Sequence, residues 1–180
     1  MRPVLTALCL AVLAAPTHAA TVDLGGHGTL NISLPAGWTV SSQPAGDSGV
    51  AVSLLPPQGV NARCFISVSF LADPKMLTKD EVDAKLKVVS EQFVDQSVEK
   101  KQVIQGLGLS GGAVGDYCTF TDASLVGKTA GPDDFKVVGI GVIAYSDQFA
   151  AAVSLAAQDL KGQDFADMLA AIRSTSVSRK

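Results

Sequence analysis

The side chains of this sequence that fit known chemical patterns crowd into one short stretch, Gly106-Leu107-Gly108-Leu109-Ser110-Gly111-Gly112. Gly106 to Gly111 fit G-x-G-x-x-G, in which glycines let backbone N–H groups at a helix N-terminus approach a pyrophosphate. Gly108 to Gly112 fit G-x-S-x-G, the elbow that exposes a nucleophilic serine, here Ser110, between a strand and a helix. Both chemistries require a helix directly afterwards. Ala113 to Thr121 instead contains Tyr117, Cys118, Thr119 and Phe120, types that favour a strand, and no parallel strand-helix-strand unit surrounds the glycines. A serine nucleophile also needs a base. Beyond the first twenty residues the sole histidine is His27, upstream of Ser110, whereas in that architecture it comes later in the chain. The stretch is therefore expected to be a hairpin turn that uses glycine where φ is positive, with neither a cofactor site nor a catalytic serine.

One imidazole also leaves a protein without its usual general base and without the usual zinc or iron ligand set. Paired carboxylates need no histidine, and Asp133 and Asp134 with Asp116 or Asp122 offer the two acids that a glycosidase or an aspartic protease uses. Adjacent acids in a polar loop are ordinarily solvated, so no catalytic residue is expected there. No D-x-D-x-D-G run indicates calcium. Cys64, Cys118 and His27 make three ligands where a structural zinc site takes four, and no metal site is expected.

The first twenty residues give the protein an address. Arg2 supplies a positive start, Val4 to Ala15 is an uncharged apolar run, Pro16 breaks it, and Thr17-His18-Ala19 places small side chains where signal peptidase needs them. The run is shorter than the ~20 residues a spanning helix takes. Cleavage is expected after Ala19 or Ala20, and Cys9, behind the bulky Leu8, does not fit a lipoprotein signal. The mature chain, 21–180, is expected to be one periplasmic or secreted domain with no transmembrane anchor. In that compartment thiols oxidise, so Cys64 and Cys118 are expected to form a disulfide. It would close a loop of about 55 residues and contribute about 4 kcal/mol in the chain-entropy model. The formal net charge of −3, with basic residues scattered, argues against a nucleic-acid partner.

The rest of the chain must supply a scaffold. Leu30, Ile32 and Leu34 alternate with Asn31 and Ser33, the period of a half-buried strand. Ser41 to Gly49 reads as a surface loop, Val50 to Leu55 and Arg63 to Phe70 as strands, and Ser97 to Ile104 as an ambiguous segment able to form a strand. Thr78 and Glu81 form a capping box ahead of Val82, Leu86, Val89 and Phe93, which predicts an amphipathic helix. Val114 to Thr121 follows the glycine turn as a strand, and Asp122 to Asp134 is a polar loop. Lys136 to Tyr145 and Phe149 to Ala157 form a hairpin around Ser146-Asp147. That turn would place Val138, Ile140, Val142, Phe149, Val153 and Leu155 on one face. Gly139, Gly141, Ala150, Ala152, Ser154 and Ala156 would occupy the other. Phe165, Met168, Leu169 and Ile172 mark a short final helix.

The two ends of this pattern, Ile32-Ser33-Leu34-Pro35-Ala36-Gly37-Trp38 and Phe165-Ala166-Asp167-Met168-Leu169-Ala170-Ala171-Ile172-Arg173-Ser174, are similar to the edges of the PsbP-like superfamily, which includes DcrB-like bacterial envelope proteins. The resemblance covers essentially the whole mature chain. It implies an α+β fold, an α/β/α sandwich in which a mostly antiparallel sheet carries a long central helix and a C-terminal helix. It also implies a protein that binds or chaperones other proteins, and it brings no active-site residues.

Two features bear on binding. Trp38, directly after a Pro-Ala-Gly turn, is expected to seal the core edge rather than anchor a partner. The small-residue face of the last hairpin is expected to be covered by the protein's own helix; left open, it would be an apolar groove for a partner's helix or strand. The expectation for function is an exported, non-catalytic envelope accessory protein that binds another protein in a chaperone, adaptor or immunity-type role. A small-molecule or lipid carrier is the alternative and an envelope hydrolase the third reading.

Overall fold

The structure, a computed structural model, describes residues 17–73, 75–132 and 134–179; residues 1–16, Cys9 among them, and Asp133 lie outside the described residues. In chain order the elements are β1 (Thr17–Asp23), β2 (Thr29–Pro35), β3 (Thr39–Pro44), β4 (Gly49–Leu55), β5 (Arg63–Phe70), α1 (Lys79–Val94), β6 (Gln105–Gly106), β7 (Val114–Thr121), β8 (Val137–Ala144), β9 (Phe149–Ala157), α2 (Gln163–Arg173) and β10 (Ser176–Ser178). Seven strands form one antiparallel sheet in the order β3-β4-β5-β9-β8-β7-β6, and β1-β2-β10 form a second, three-stranded one. The fold is α+β. No helix among the described residues is long and apolar enough to cross a membrane.

Alternation along the strands explains the two cores. Val52, Ile66 and Val153 face inward with Leu54, Cys64 and Leu155, and the α2 residues Phe165, Met168 and Ile172 together with Leu30, Ile32 and Leu34 of β2 close over them. Trp38 is buried in this core, as expected. The opposite face has a smaller core in which Val82 and Leu86 of α1 meet Cys118, Phe120, Ile140 and Val142. The capping box forms: the Glu81 N–H donates to Thr78 Oγ1, and the Thr78 N–H donates to Glu81 Oε2 at 2.9 Å. Such a cap satisfies two N–H groups that the first helical turn leaves unpaired.

Several expectations are corrected. Cys64 and Cys118 are both free and buried, and no disulfide joins them. Strands β9 and β8 separate β5 from β7, so the backbones lie three strand spacings, about 14 Å, apart, and a bridge requires Cα atoms within about 7 Å. The two thiols also point to opposite faces, because Cys64 lies in a cross-strand row with Leu155, Gly139 and Thr119 and Cys118 is the next residue along β7. Even cysteine number and an oxidising compartment say nothing about sheet order.

The last hairpin has a different register from the expected one. The Tyr145 N–H donates to the Phe149 carbonyl at 2.9 Å, leaving Ser146, Asp147 and Gln148 as a three-residue loop. Val142 then pairs with Ala152 and Gly141 with Val153. One extra loop residue turns β9 over relative to β8. Bulky β8 residues therefore share the outer face with small β9 residues; inside, Gly139 and Gly141 of β8 stand beside Leu155 and Val153 of β9, and Val137 and Ile143 beside Ala157 and Ala151.

Residues 39–44, partly assigned to a loop, form the edge strand β3, where Ser42 pairs with Val52 and Pro44 with Val50. An edge tolerates proline and serine because one side of its ladder faces solvent. Ser97 to Ile104 makes only an isolated bridge, Ser97 with Asp122.

Candidate functional site

The glycine-rich stretch is the hairpin turn between β6 and β7. Gln105 pairs with Tyr117, the Leu107 N–H donates to the Gly115 carbonyl at 2.8 Å, and Gly108, Gly111 and Gly112 all take positive φ. Ser110 is exposed at its tip with a strand, not a helix, after it. His27 belongs to the turn between β1 and β2, where its ring stacks on Phe70 with centroids 3.9 Å apart. Among the described residues no three of His, Cys, Asp and Glu are grouped to hold a metal ion.

The candidate acids are likewise dispersed. Asp122 accepts from the Ser124 N–H at 2.7 Å, and Asp134 accepts from the Gly131 N–H at 3.0 Å, so both shape the polar loop. Asp116 lies elsewhere, buried on the outer face of β7 beneath α1. Its carboxylate accepts from Lys79 Nζ at 3.0 Å, and Lys79 also bonds Asp83 at 3.2 Å. Burial raises the Asp116 carboxyl above its usual range, with Lys79 opposing that rise and Asp83 adding to it. Lys79 itself is raised, chiefly by Asp116. Nothing in the sequence marked Lys79 and Asp83 except their helical i, i+4 spacing. The trio bolts α1 to β7.

The Cys64 thiol is pushed far up by burial and Cys118 is raised for the same reason, so neither is a reactive thiolate.

A feature with room for a ligand is on the outer face beside α1. This helix packs on β7 and β8 and, among the described residues, is the single helix on that face, since α2 belongs to the opposite core. On β9 and β5 the same face presents Ala150, Ala152, Ser67 and Ser69, with Phe65 half-exposed. Between helix and strands runs an apolar groove of about 520 Å³, walled by Lys85, Val88 and Val89 and floored by Ser69, Ala150 and Ala152. Val88 is 77% exposed and Val89 39%, which for a helix otherwise seated through Val82 and Leu86 means an apolar stripe wider than the surface it covers. Val89 was expected in the core; its neighbour Val88 was not singled out, although the Val88-Val89 doublet was the visible signal. The small-residue expectation thus holds for β9 alone, and the protein's own helix does not cover it. No family model matches this sequence, and no curated protein does.

Proposed function

We propose that the protein is exported to the bacterial cell envelope, periplasmic or secreted, and acts there without catalysis as an accessory protein that seats an apolar-faced helix of another protein in the groove beside α1. A chaperone, adaptor or immunity-type role has this form. The observation that carries the reading is the uncovered half of the outer sheet face. Strands β9, β5, β4 and β3 span three spacings, roughly 14 Å, room for one further helix of about 10–12 Å diameter next to α1. Alanine and serine on the floor allow such a helix to approach closely. Lys85 on the rim makes no ion pair among the described residues, and the floor carries no charge, so an acidic residue flanking the partner's apolar stripe complements it. The leader sequence supports export, and the helix on each side of an antiparallel sheet supports a PsbP-like α/β/α sandwich.

A photo-cross-linking residue at Val88, introduced in a host that exports the protein, tests this. One discrete protein adduct is expected at Val88, lost on Ala152→Arg, and absent from Val126, exposed in the loop after β7. Identical adduct patterns at Val88 and Val126 overturn it. The apolar lining also favours a second reading, a lipid or small-molecule carrier. Native mass spectrometry that finds a bound small mass, removed by Ala152→Arg, would select that reading instead.

A further inference from the structure

The signal-cleavage motif and strand β1 are the same residues. Thr17-His18-Ala19-Ala20 begins β1, paired with β2 in the register Thr17 to Pro35, His18 to Leu34, Ala19 to Ser33 and Ala20 to Ile32. On the other side of β2, β10 reaches only from Thr29 to Asn31. Among the described residues Leu34 therefore has no strand neighbour except His18, which either cleavage removes, and Ile32 none except Ala20, which cleavage after Ala20 removes.

Hydrogen-bond direction sharpens the point. The Ser33 N–H donates to Ser174 Oγ at 2.8 Å, and Ser174 continues the β10 side of the register, so the N–H and C=O of Ser33 face away from β1. Alternation in an antiparallel ladder then turns the N–H and C=O of Ile32 and Leu34 toward β1. Their side chains are 2% and 1% exposed in the main core, and α2 packs on β2, so β2 stays in place whether or not β1 is complete. The residues to be lost contribute little burial: Thr17, His18 and Ala19 are exposed and Ala20 is half-buried.

Resting on the reading that the chain is exported and cleaved after Ala19 or Ala20, we propose that processing opens β2 as a docking edge for an extended segment of another polypeptide. The segment runs antiparallel to β2, and where cleavage follows Ala20 it carries a small residue opposite Ile32, in the half-buried place of Ala20. Cleavage after Ala19 frees the backbone pair at Leu34; cleavage after Ala20 frees that at Ile32 as well. The chain leaves the strand in the turn at Ala36-Gly37, so the edge is short and the added strand makes few bonds. The position opposite Leu34, where exposed His18 stood, accepts any side chain with a backbone N–H. An unpaired edge of this kind is the template that strand addition uses.

The test compares protein recovered after export, its N-terminus read by intact mass, with a chain that retains Thr17 to Ala20. Amide exchange at Leu34 is expected to be about tenfold or more faster in the processed chain, because its hydrogen-bond partner is gone. The probe is an acetylated heptapeptide with the sequence of residues 17–23. At millimolar concentration it should slow Leu34 exchange in the processed chain and leave the longer chain unchanged, while the same peptide carrying His18→Pro should do nothing. Equal Leu34 protection in both chains, or no slowing by the peptide, overturns the edge and leaves the export reading standing. A recovered mass that retains Thr17 to Ala20 overturns the processing step and the edge with it.

Discussion

The outer face of the large sheet has two halves made from adjacent strands of one hairpin, and only one is covered. On β8, Val138, Ile140 and Val142 line the half under α1; on β9, Ala150, Ala152, Ser154 and Ala156 line the half left open. Burial of apolar area drives a helix onto a sheet, and branched residues offer several times the area of alanine or serine. Helix α1 has therefore gone where Ile140, Val142, Cys118 and Phe120 reward contact, with Lys79 and Asp116 holding its first turn over β7. The inner face inverts the pattern: Gly139 and Gly141 of β8 stand beside Leu155 and Val153 of β9. Bulk on one strand answers its absence on the next, face by face.

The sharpest way to break this contrast is in the covered half. Leu86→Ala removes a fully buried side chain from beneath α1 and should cost about 2–5 kcal/mol, read as a lower urea midpoint. Next in size is Gly141→Ala, where the added Cβ would stand 2.6 Å from Val153 Cγ2 and 3.1 Å from the Asp116 carbonyl. Overpacking should destabilise by about 1–3 kcal/mol. A neutral outcome there would mean that the glycines are not matched to the bulk of β9. Thr78→Ala removes the cap of α1 and should cost about 1 kcal/mol.

Acid separates two carboxylates on the covered half by sign. The folded protein holds a proton on Asp116 more tightly than the unfolded chain does, because burial raises its carboxyl, so this group adds stability as pH falls through its folded value toward the usual 3.8. Glu81 behaves oppositely: Lys75 and the Thr78 cap depress it from 4.5 to about 2, and its contribution, present above 4.5, is lost as pH falls toward 2. Between pH 7 and 4, Asp116→Asn should lose ground against the parent protein; between pH 5 and 2, Glu81→Gln should gain it. Urea midpoints across that range check both signs. The smallest effect belongs to the open half. Val88→Asp should change stability by less than about 0.5 kcal/mol while abolishing the cross-link from a photo-reactive residue moved to Lys85 on the rim of the groove.

Local elements were the legible part of this molecule. Thr78 and Glu81 announced the start of α1, Val82 and Leu86 its buried side, and the alternation through Arg63–Phe70 and Phe149–Ala157 its strands, since capping and periodicity act within one or two turns of chain. The glycine stretch was legible too, because a strand-forming sequence after Gly112 excludes a phosphate-binding or nucleophile-bearing turn. Strand β3 was missed in part because Ser41 to Pro44 carry no strand pattern of their own, and it is pairing with β4 that makes them a strand. The groove was half legible: small residues on β9 were visible, but their neighbours across the hairpin depended on whether the loop held two residues or three.

By itself the sequence determined the helix and strand inventory, the shortage of histidine, the leader-like start and the hairpin nature of the glycine turn, all of which depend on neighbours along the chain. Only the tertiary structure decided that Cys64 and Cys118 stand on opposite faces, that Asp116 meets Lys79, and that β9 lies bare beside α1. Those outcomes are set by strand order and by a one-residue register, and register is chosen by the total burial of many distant side chains rather than by any local signal.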